Sequence, residues 1–294
     1  MGAIGFYLFY GISWIVTLLP LSILYLLAYL IFLVLYYFPS YRRKDVAINL
    51  KNAFPEKSPD ELRSIEKRFY KHLADIIVET LKLEHMSTRS LKKRFTITNP
   101  EIIRRIQDEG RDVVAICGHY NNWEWMTSFP LFTDINCVSI YKPLTNTMFD
   151  RFMNGLRVKY GMSLTPMSNV VREIISNRKK GISTLYAFIS DQTPAKGDIK
   201  YWTQFLNQET PVYLGAEKIA AKYDMAVVFF KNQKIKRGHY HLTLELLFDH
   251  TKGLPEYAVT EAHVRKLEEL IIEKPEYWIW SHRRWKHKSE LQYG

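Results

Sequence analysis

The first 41 residues of the chain contain no Asp, Glu, Lys, Arg or His. From Phe6 to Phe38 nearly every side chain is apolar or aromatic. Such a run must be hidden from water, inside a core or inside a bilayer, so no other segment constrains the fold as strongly. A membrane-crossing helix needs roughly 20 apolar residues, and this run is long enough for one crossing. Pro20 lies within it and is placed to kink the run or divide it into two half-length pieces. A cleaved secretory signal is disfavoured, because there is no basic leading region and the apolar stretch is too long. Gly2 invites a myristoylation reading, yet position 6 is Phe where that signal wants Ser or Thr. The expectation is a hydrophobic membrane anchor over residues 1–41, spanning or deeply embedded. The competing reading is an unusually long buried core helix.

Tyr41-Arg42-Arg43-Lys44 follows directly, and basic residues mark the cytoplasmic flank of a first membrane segment. Residues 42–294 are therefore expected to form one cytoplasmic domain. Two cysteines, Cys117 and Cys137, suit a reducing compartment and suggest no disulfide framework. Because the apolar run is uncharged, the whole formal charge of +11 lies beyond it. A basic domain held at a membrane has three attractors: anionic headgroups, an acidic carrier protein, or nucleic acid. A solvated basic surface is the plain alternative.

Ser58-Pro59-Asp60-Glu61 predicts a helix opened by a capping box with Pro in its first turn. Leu62, Ile65, Phe69, Leu73, Ile76, Ile77 and Leu81 continue it at helical spacing. Strands are expected over 112–117, 137–141, 184–190, 225–230 and 241–248. Helices are expected over 100–108, 122–131, 147–160, 170–178, 212–223 and 260–273. Alternating strands and helices predict an α/β fold: a mixed, mostly parallel sheet flanked by helices. The last two strands, joined through Arg237-Gly238, read as an antiparallel hairpin at one edge.

The most informative stretch is Gly118-His119-Tyr120-Asn121-Asn122-Trp123-Glu124, after the apolar strand that ends at Cys117. Ligands of open α/β sheets gather at the carboxyl ends of the strands, where His119 falls. On one continuous helix, five residues would set His119 and Glu124 about 140° apart. With His119 in the turn and Glu124 in the first helical turn, the two can converge as a base and its orienting carboxylate. An equal alternative makes Asn121 the N-cap and Glu124 its capping-box partner. A zinc site would need further ligands. Cys117, inside a strand, reads as a small apolar residue rather than a nucleophile.

That stretch resembles the His-x4-Asp/Glu block of the glycerolipid acyltransferase superfamily. More narrowly, it resembles the late acyltransferases of lipid A biosynthesis, the lauroyl and myristoyl transferases. Tyr141-Lys142-Pro143-Leu144-Thr145-Asn146, continuing through Asp150 to Arg157, is similar to that family's second block. Ser190-Asp191-Gln192 is similar to its third, and 275–286, with Trp278, Trp280, Arg283, Arg284 and Trp285, to its C-terminal signature. The Phe-Pro-Glu-Gly-Thr block of the glycerol-3-phosphate branch is absent. Beyond the third block, where the family has an aromatic pair, a Gly and a Thr, this chain reads Gln204-Phe205-Leu206-Asn207-Gln208-Glu209-Thr210.

The resemblance implies an acyltransferase at the cytoplasmic face of a bacterial inner membrane. The implied donor is an acyl thioester on acyl carrier protein, with acyl-CoA as the secondary choice. The implied acceptor is a hydroxyl of a lipid A precursor in the membrane. His119 would take the hydroxyl proton, Glu124 would orient it, and Arg157 would stabilise the oxyanion. Lys142, Asp191, Gln192, Arg283 and Arg284 are candidate substrate contacts. The aromatic and basic segment 278–285 suits a membrane interface or a phosphorylated headgroup. No cofactor, metal or nucleic-acid partner is expected. The alternatives are an O-acyltransferase for another membrane lipid (an aminolipid or lysophospholipid), a thioesterase, and a non-catalytic membrane-anchored binding protein.

Overall fold

The computed structural model describes residues 2–38 and 41–287. The apolar run does not form one long helix. It divides at Pro20 into α1 (Ala3–Val16) and α2 (Leu21–Tyr37). Proline's missing N–H and fixed φ suit it to the start of α2, not the middle of a longer helix. Among the described residues no helix is long and apolar enough to cross a membrane.

One stripe of α2, formed by Leu21, Leu24, Ala28, Phe32 and Tyr36, is buried. It packs against α4 (Pro59–Lys82), which follows α3 (Arg43–Ala53). The predicted capping box at Ser58 and Glu61 is present at the start of α4. Arg42 and Arg43, expected beside a membrane, are exposed and half-buried, respectively, and bond back to the domain. The Arg42 guanidinium donates to the Ser281 carbonyl at 2.9 Å, and Arg43 pairs with Glu66 at 2.6 Å.

The chain continues through α5 (Thr88–Lys92), β1 (Phe95–Thr98), α6 (Glu101–Asp108) and β2 (Val113–Cys117). A 3₁₀ helix, Trp123–Phe132, then leads to β3 (Asn136–Tyr141), α7 (Thr147–Val158), β4 (Ser163–Pro166), α8 (Val170–Lys179) and β5 (Thr184–Ile189). The rest comprises β6 (Trp202–Phe205), β7 (Gln208–Pro211), α9 (Gly215–Tyr223), β8 (Ala226–Lys236), β9 (His239–Phe248) and α10 (Ala258–Glu273). Seven strands form one sheet in the order β1-β9-β8-β2-β5-β3-β4, parallel except for the β8–β9 hairpin. The fold is therefore α/β with a mixed, mostly parallel sheet between helices.

The hairpin is not at the sheet's edge as expected. β1, too short to read from the sequence, pairs in parallel with β9 and covers it. β6 and β7 form a separate antiparallel ribbon whose two-residue turn, Leu206-Asn207, has φ of 50° and 58°. Positive φ at both central residues is what a tight hairpin requires, and Asn tolerates it well.

Alternation along β2 divides the core. Val113, Ala115 and Cys117 face the side covered by α2, α4 and α7, whereas Val114 and Ile116 face α8 and α9. Fully buried Glu79 on α4 ties the first side together. Its carboxylate accepts hydrogen bonds from Tyr25, Asn122 and Tyr240 at 2.7–2.8 Å. Burial pushes its pKa up, and the three donors only partly offset that cost.

Candidate active site

β2 and β5 are adjacent and parallel, with Cys117 opposite Ile189. The two chains leave the sheet together, and the Ser190 N–H donates to the Cys117 carbonyl at 3.1 Å. Two residues beyond each strand stand His119 and Asp191. The His119 ring Nδ1 lies 2.6 Å from Asp191 Oδ1, and the His119 backbone N–H donates to Oδ2 at 2.8 Å. The Trp278 indole N–H donates to the same Oδ2, also at 2.8 Å. Gly118 permits this approach. A Cβ there would lie 2.7 Å from a Leu267 methyl and 3.1 Å from Asp191 Oδ2.

Asp191 is fully buried, which alone would raise its pKa. The charge His119 carries when protonated and the three N–H donors outweigh burial and bring it to about 2. A carboxylate only accepts hydrogen bonds, so Nδ1 of the neutral ring carries the proton and Nε2 carries the free lone pair. Nε2 lies 3.3 Å from the Gln192 amide nitrogen, and the ring packs edge-on against Trp123 at 5.1 Å.

The expected contact between His119 and Glu124 is not formed. Glu124 instead receives a bidentate pair from Arg157, at 2.6 and 2.8 Å. Two forces decide this. Asp191 already occupies Nδ1, and a planar guanidinium fork matches a carboxylate better than one ring N–H does. The capping alternative fails as well, because Asn122, not Asn121, is the N-cap and accepts from the Trp125 N–H. Asn121 has a left-handed φ of 54°, and its N–H donates to the Tyr277 carbonyl at 2.9 Å. That kink turns the chain from the end of β2 into the 3₁₀ helix carrying Glu124.

Arg157 sits in the last turn of α7, most of its side chain buried. Its Glu124 partner raises its pKa against the cost of burial. Other residues of the second block build α7: Asn146 caps it, and Asp150 accepts from the Leu144 N–H at 2.7 Å. Lys142 is exposed just after β3. Arg283 is exposed and pairs with Asp45 at 3.0 Å. Arg284 is buried at 2% exposure, so its guanidinium is not offered to a surface headgroup.

In the segment expected at a membrane interface Trp278 and Trp280 are fully buried, whereas Arg283 is exposed. Trp278 was missed as a site residue because an indole reads as apolar bulk until its N–H is given a partner. His282 accepts from the Thr193 N–H at 3.1 Å, and burial lowers its pKa to about 4. The Cys117 thiol is pushed up by burial, as suits a strand residue with no nucleophilic role. Among the described residues no group of three or more His, Cys, Asp or Glu side chains is placed to hold a metal ion.

The arrangement holds a base whose unprotonated Nε2 is met by the Gln192 amide, an ionised carboxylate fixing its tautomer, and the Arg157 guanidinium, held by Glu124 five residues along the chain from His119. It can remove a proton from a hydroxyl and offset developing negative charge. A sequence model described as bacterial lipid A biosynthesis acyltransferase matches residues 2–287. The chain is 23% identical to the lipid A biosynthesis lauroyltransferase of Escherichia coli strain K12, covering 95% of this chain and 90% of that protein. It is 20% identical to the same strain's lipid A biosynthesis palmitoleoyltransferase, over 94% and 89% of the two chains. A lipid A biosynthesis acyltransferase of Shigella flexneri matches to the same extent.

Proposed function

The chain belongs to the bacterial lipid A biosynthesis acyltransferase family, and from that premise we propose that it transfers a fatty acyl group from an acyl thioester to a hydroxyl of a lipid A precursor. The observation that carries the reading is the His119–Asp191 pair, which leaves Nε2 as the only basic atom of the ring. In the proposed mechanism Nε2 takes the hydroxyl proton as the oxygen attacks the thioester carbonyl. Asp191 holds the tautomer and balances the imidazolium that forms. The imidazolium then supplies the proton needed as the thiolate leaves. Arg157, held by Glu124, offsets the charge on the tetrahedral oxygen. Gln192 lies against Nε2 and meets the incoming hydroxyl, and Lys142 is free to meet phosphate on donor or acceptor.

The proposed donor is acyl–acyl carrier protein, whose acidic surface suits a domain carrying all of the +11 charge. The proposed location is the cytoplasmic face of the inner membrane. Supporting it, α1 and α2 expose Ile4, Leu8, Ile15, Leu26, Leu30 and Val34, each more than half accessible. An apolar surface of that extent is not normally left in water. Two short helices on the body of the protein suit an in-plane, interfacial attachment.

The test is transfer from labelled acyl–acyl carrier protein to a lipid A precursor in mixed micelles, with acyl-CoA and other lipid acceptors in parallel. His119→Ala is expected to abolish transfer while the protein remains folded. Substantial retained transfer would refute the site. Free fatty acid as the main product at saturating acceptor would instead identify a thioesterase.

A further inference from the structure

Beside Asp191 lies a small, partly open cavity of about 10 Å³, lined also by Ser190, Arg284, His263 and the apolar side chains of Phe205, Val212, Val264 and Leu267. Arg284 and His263 are 2% and 4% exposed. Among the described residues, Arg284 Nε and Nη1 and His263 Nε2 have no hydrogen-bond partner. His263 Nδ1 lies 3.0 Å from the Val259 carbonyl, so Nδ1 carries the proton and Nε2 is a bare acceptor. Burial lowers the His263 pKa to about 4, so the ring is neutral near pH 7. A donor-only guanidinium and an acceptor-only ring nitrogen thus line one small cavity, with their polar atoms buried.

The chemistry of the walls selects the occupant. An anion would accept from Arg284 but leave His263 Nε2 unmet, and the Asp191 carboxylate would repel it. A cation would be repelled by Arg284. A single water accepts from one and donates to the other, and the volume suits about one water. We propose that this cavity holds one structural water joining Arg284 to His263, and that Arg284 is thereby a positioning residue for the Asp191–His119 pair. This rests on the proposed role of that pair.

The reason is electrostatic. The titratable groups that act on or respond to Asp191 are His119, Cys117, His263, His282 and Arg284. Burial keeps Cys117 neutral, and buried His263 and half-buried His282 are neutral as well. Until His119 takes its proton, Arg284 is the one permanent cation of that set. With the three N–H donors on Asp191, it helps a neutral imidazole and an ionised carboxylate coexist in the interior. The backbone fixes Arg284 in place: its carbonyl accepts from the Thr193 hydroxyl at 2.5 Å.

A high-resolution crystal structure of the full chain is expected to show one water within hydrogen-bonding reach of Arg284 and His263 Nε2. A dry cavity, or a direct Arg284–His263 contact, overturns the proposal. Arg284→Met is expected to lower kcat more than it changes KM. It should also move the acidic limb of the pH–rate profile up by roughly half a unit or more, because losing a nearby cation favours the His119 imidazolium. Arg284→Lys should bring the limb back toward wild type. A folded Arg284→Met variant with an unmoved limb would reduce Arg284 to a structural role. If that variant does not fold, His263→Leu serves: it should lose the water, and retention of the water at Arg284 alone would refute the bridge. The crystallographic readout is independent of catalysis, so its failure is distinct from a failure of His119 as base.

Discussion

Replacing Asp191 with Asn tests the proposed mechanism most directly, because the surrounding donors dictate how the new amide must sit. Oδ2 of Asp191 accepts two hydrogen bonds, from the His119 backbone N–H and the Trp278 indole, whereas Oδ1 accepts only from the His119 ring. An Asn side chain has one oxygen and one NH2 group. Placing the NH2 at the Oδ2 position would set it against two donors and lose two buried hydrogen bonds, at about 1–3 kcal/mol each. The oxygen therefore takes that position, and the NH2 faces the ring. Nδ1 must then accept, so the proton moves to Nε2. Gln192 can turn its carbonyl to receive that proton, which further favours the wrong tautomer. A ring protonated at Nε2 cannot take a proton from the acceptor hydroxyl.

The expected loss in kcat is about 10³–10⁴-fold, on the order of 4–5 kcal/mol of barrier, as for the same exchange in a Ser-His-Asp triad. The assay is single-turnover transfer from labelled acyl–acyl carrier protein, with ring ¹⁵N NMR of His119 to read its tautomer. Glu124→Gln is the matched control. It keeps one acceptor for Arg157 and leaves the His119 tautomer alone, so its loss should be smaller, roughly 100-fold. A folded Asp191→Asn enzyme within tenfold of wild type would refute the reasoning. So would a Glu124→Gln enzyme more impaired than Asp191→Asn, which would return the orienting role to Glu124.

Three further outcomes follow from the same geometry. Gly118→Ala drives a methyl toward Leu267 and Asp191; it should cost about 1–3 kcal/mol in urea unfolding and lower kcat, and wild-type values for both would discount the close approach. His263 and His282 have folded-state pKa values of about 4, below the ordinary 6.5, so the stability they contribute is present above pH 6.5 and lost as pH falls through about 4. The unfolding free energy from urea melts should therefore drop between pH 7 and 5, by roughly 2 kcal/mol for His263 alone; protonation of Asp191 extends the loss from about pH 4 toward 2. An unfolding free energy unchanged at pH 5 would show that these rings are not buried neutral. Leu26→Glu with Leu30→Glu places two charges on the exposed face of α2; vesicle flotation should fall while activity on detergent-dispersed acceptor persists, and undiminished flotation would remove that face from the membrane.

Much of the fold was legible because its signals are local. The Ser58–Glu61 capping box, the five longer strands and the Arg237-Gly238 turn each depend on residues close in sequence, and each is present. β1 and β4 were not legible, since four residues carry too little periodicity to separate a strand from a loop. The split at Pro20 was legible as one of two outcomes, and packing against α4 decided it. Tyr25 reaches Glu79, and Phe32 and Tyr36 lie in the buried stripe, so α2 is held to the domain along one side. The segment 278–285 misled for a related reason. Trp and Arg together suit a headgroup or a core equally well in composition, and only burial separates the two.

The candidate site shows where local reasoning must stop. Glu124 lies five residues from His119, so it was the natural partner on spacing, whereas Asp191 is 72 residues away. What brings Asp191 in is the adjacency of β2 and β5 and a register that sets Cys117 opposite Ile189. Two steps beyond that pair, the chain positions match at His119 and Asp191. A slip of one residue would present Ser190 or Gln192 instead and turn every β5 side chain to the other face, exposing Leu185 and Tyr186 to the wrong half of the core. The division of β5 side chains between the two halves of the core, Leu185 on one side and Tyr186 on the other, thus supports the proposed His119–Asp191 pairing. Substitutions that weaken the packing of either face, such as Leu185→Ser, should impair transfer through loss of register, with no change in any group that meets substrate.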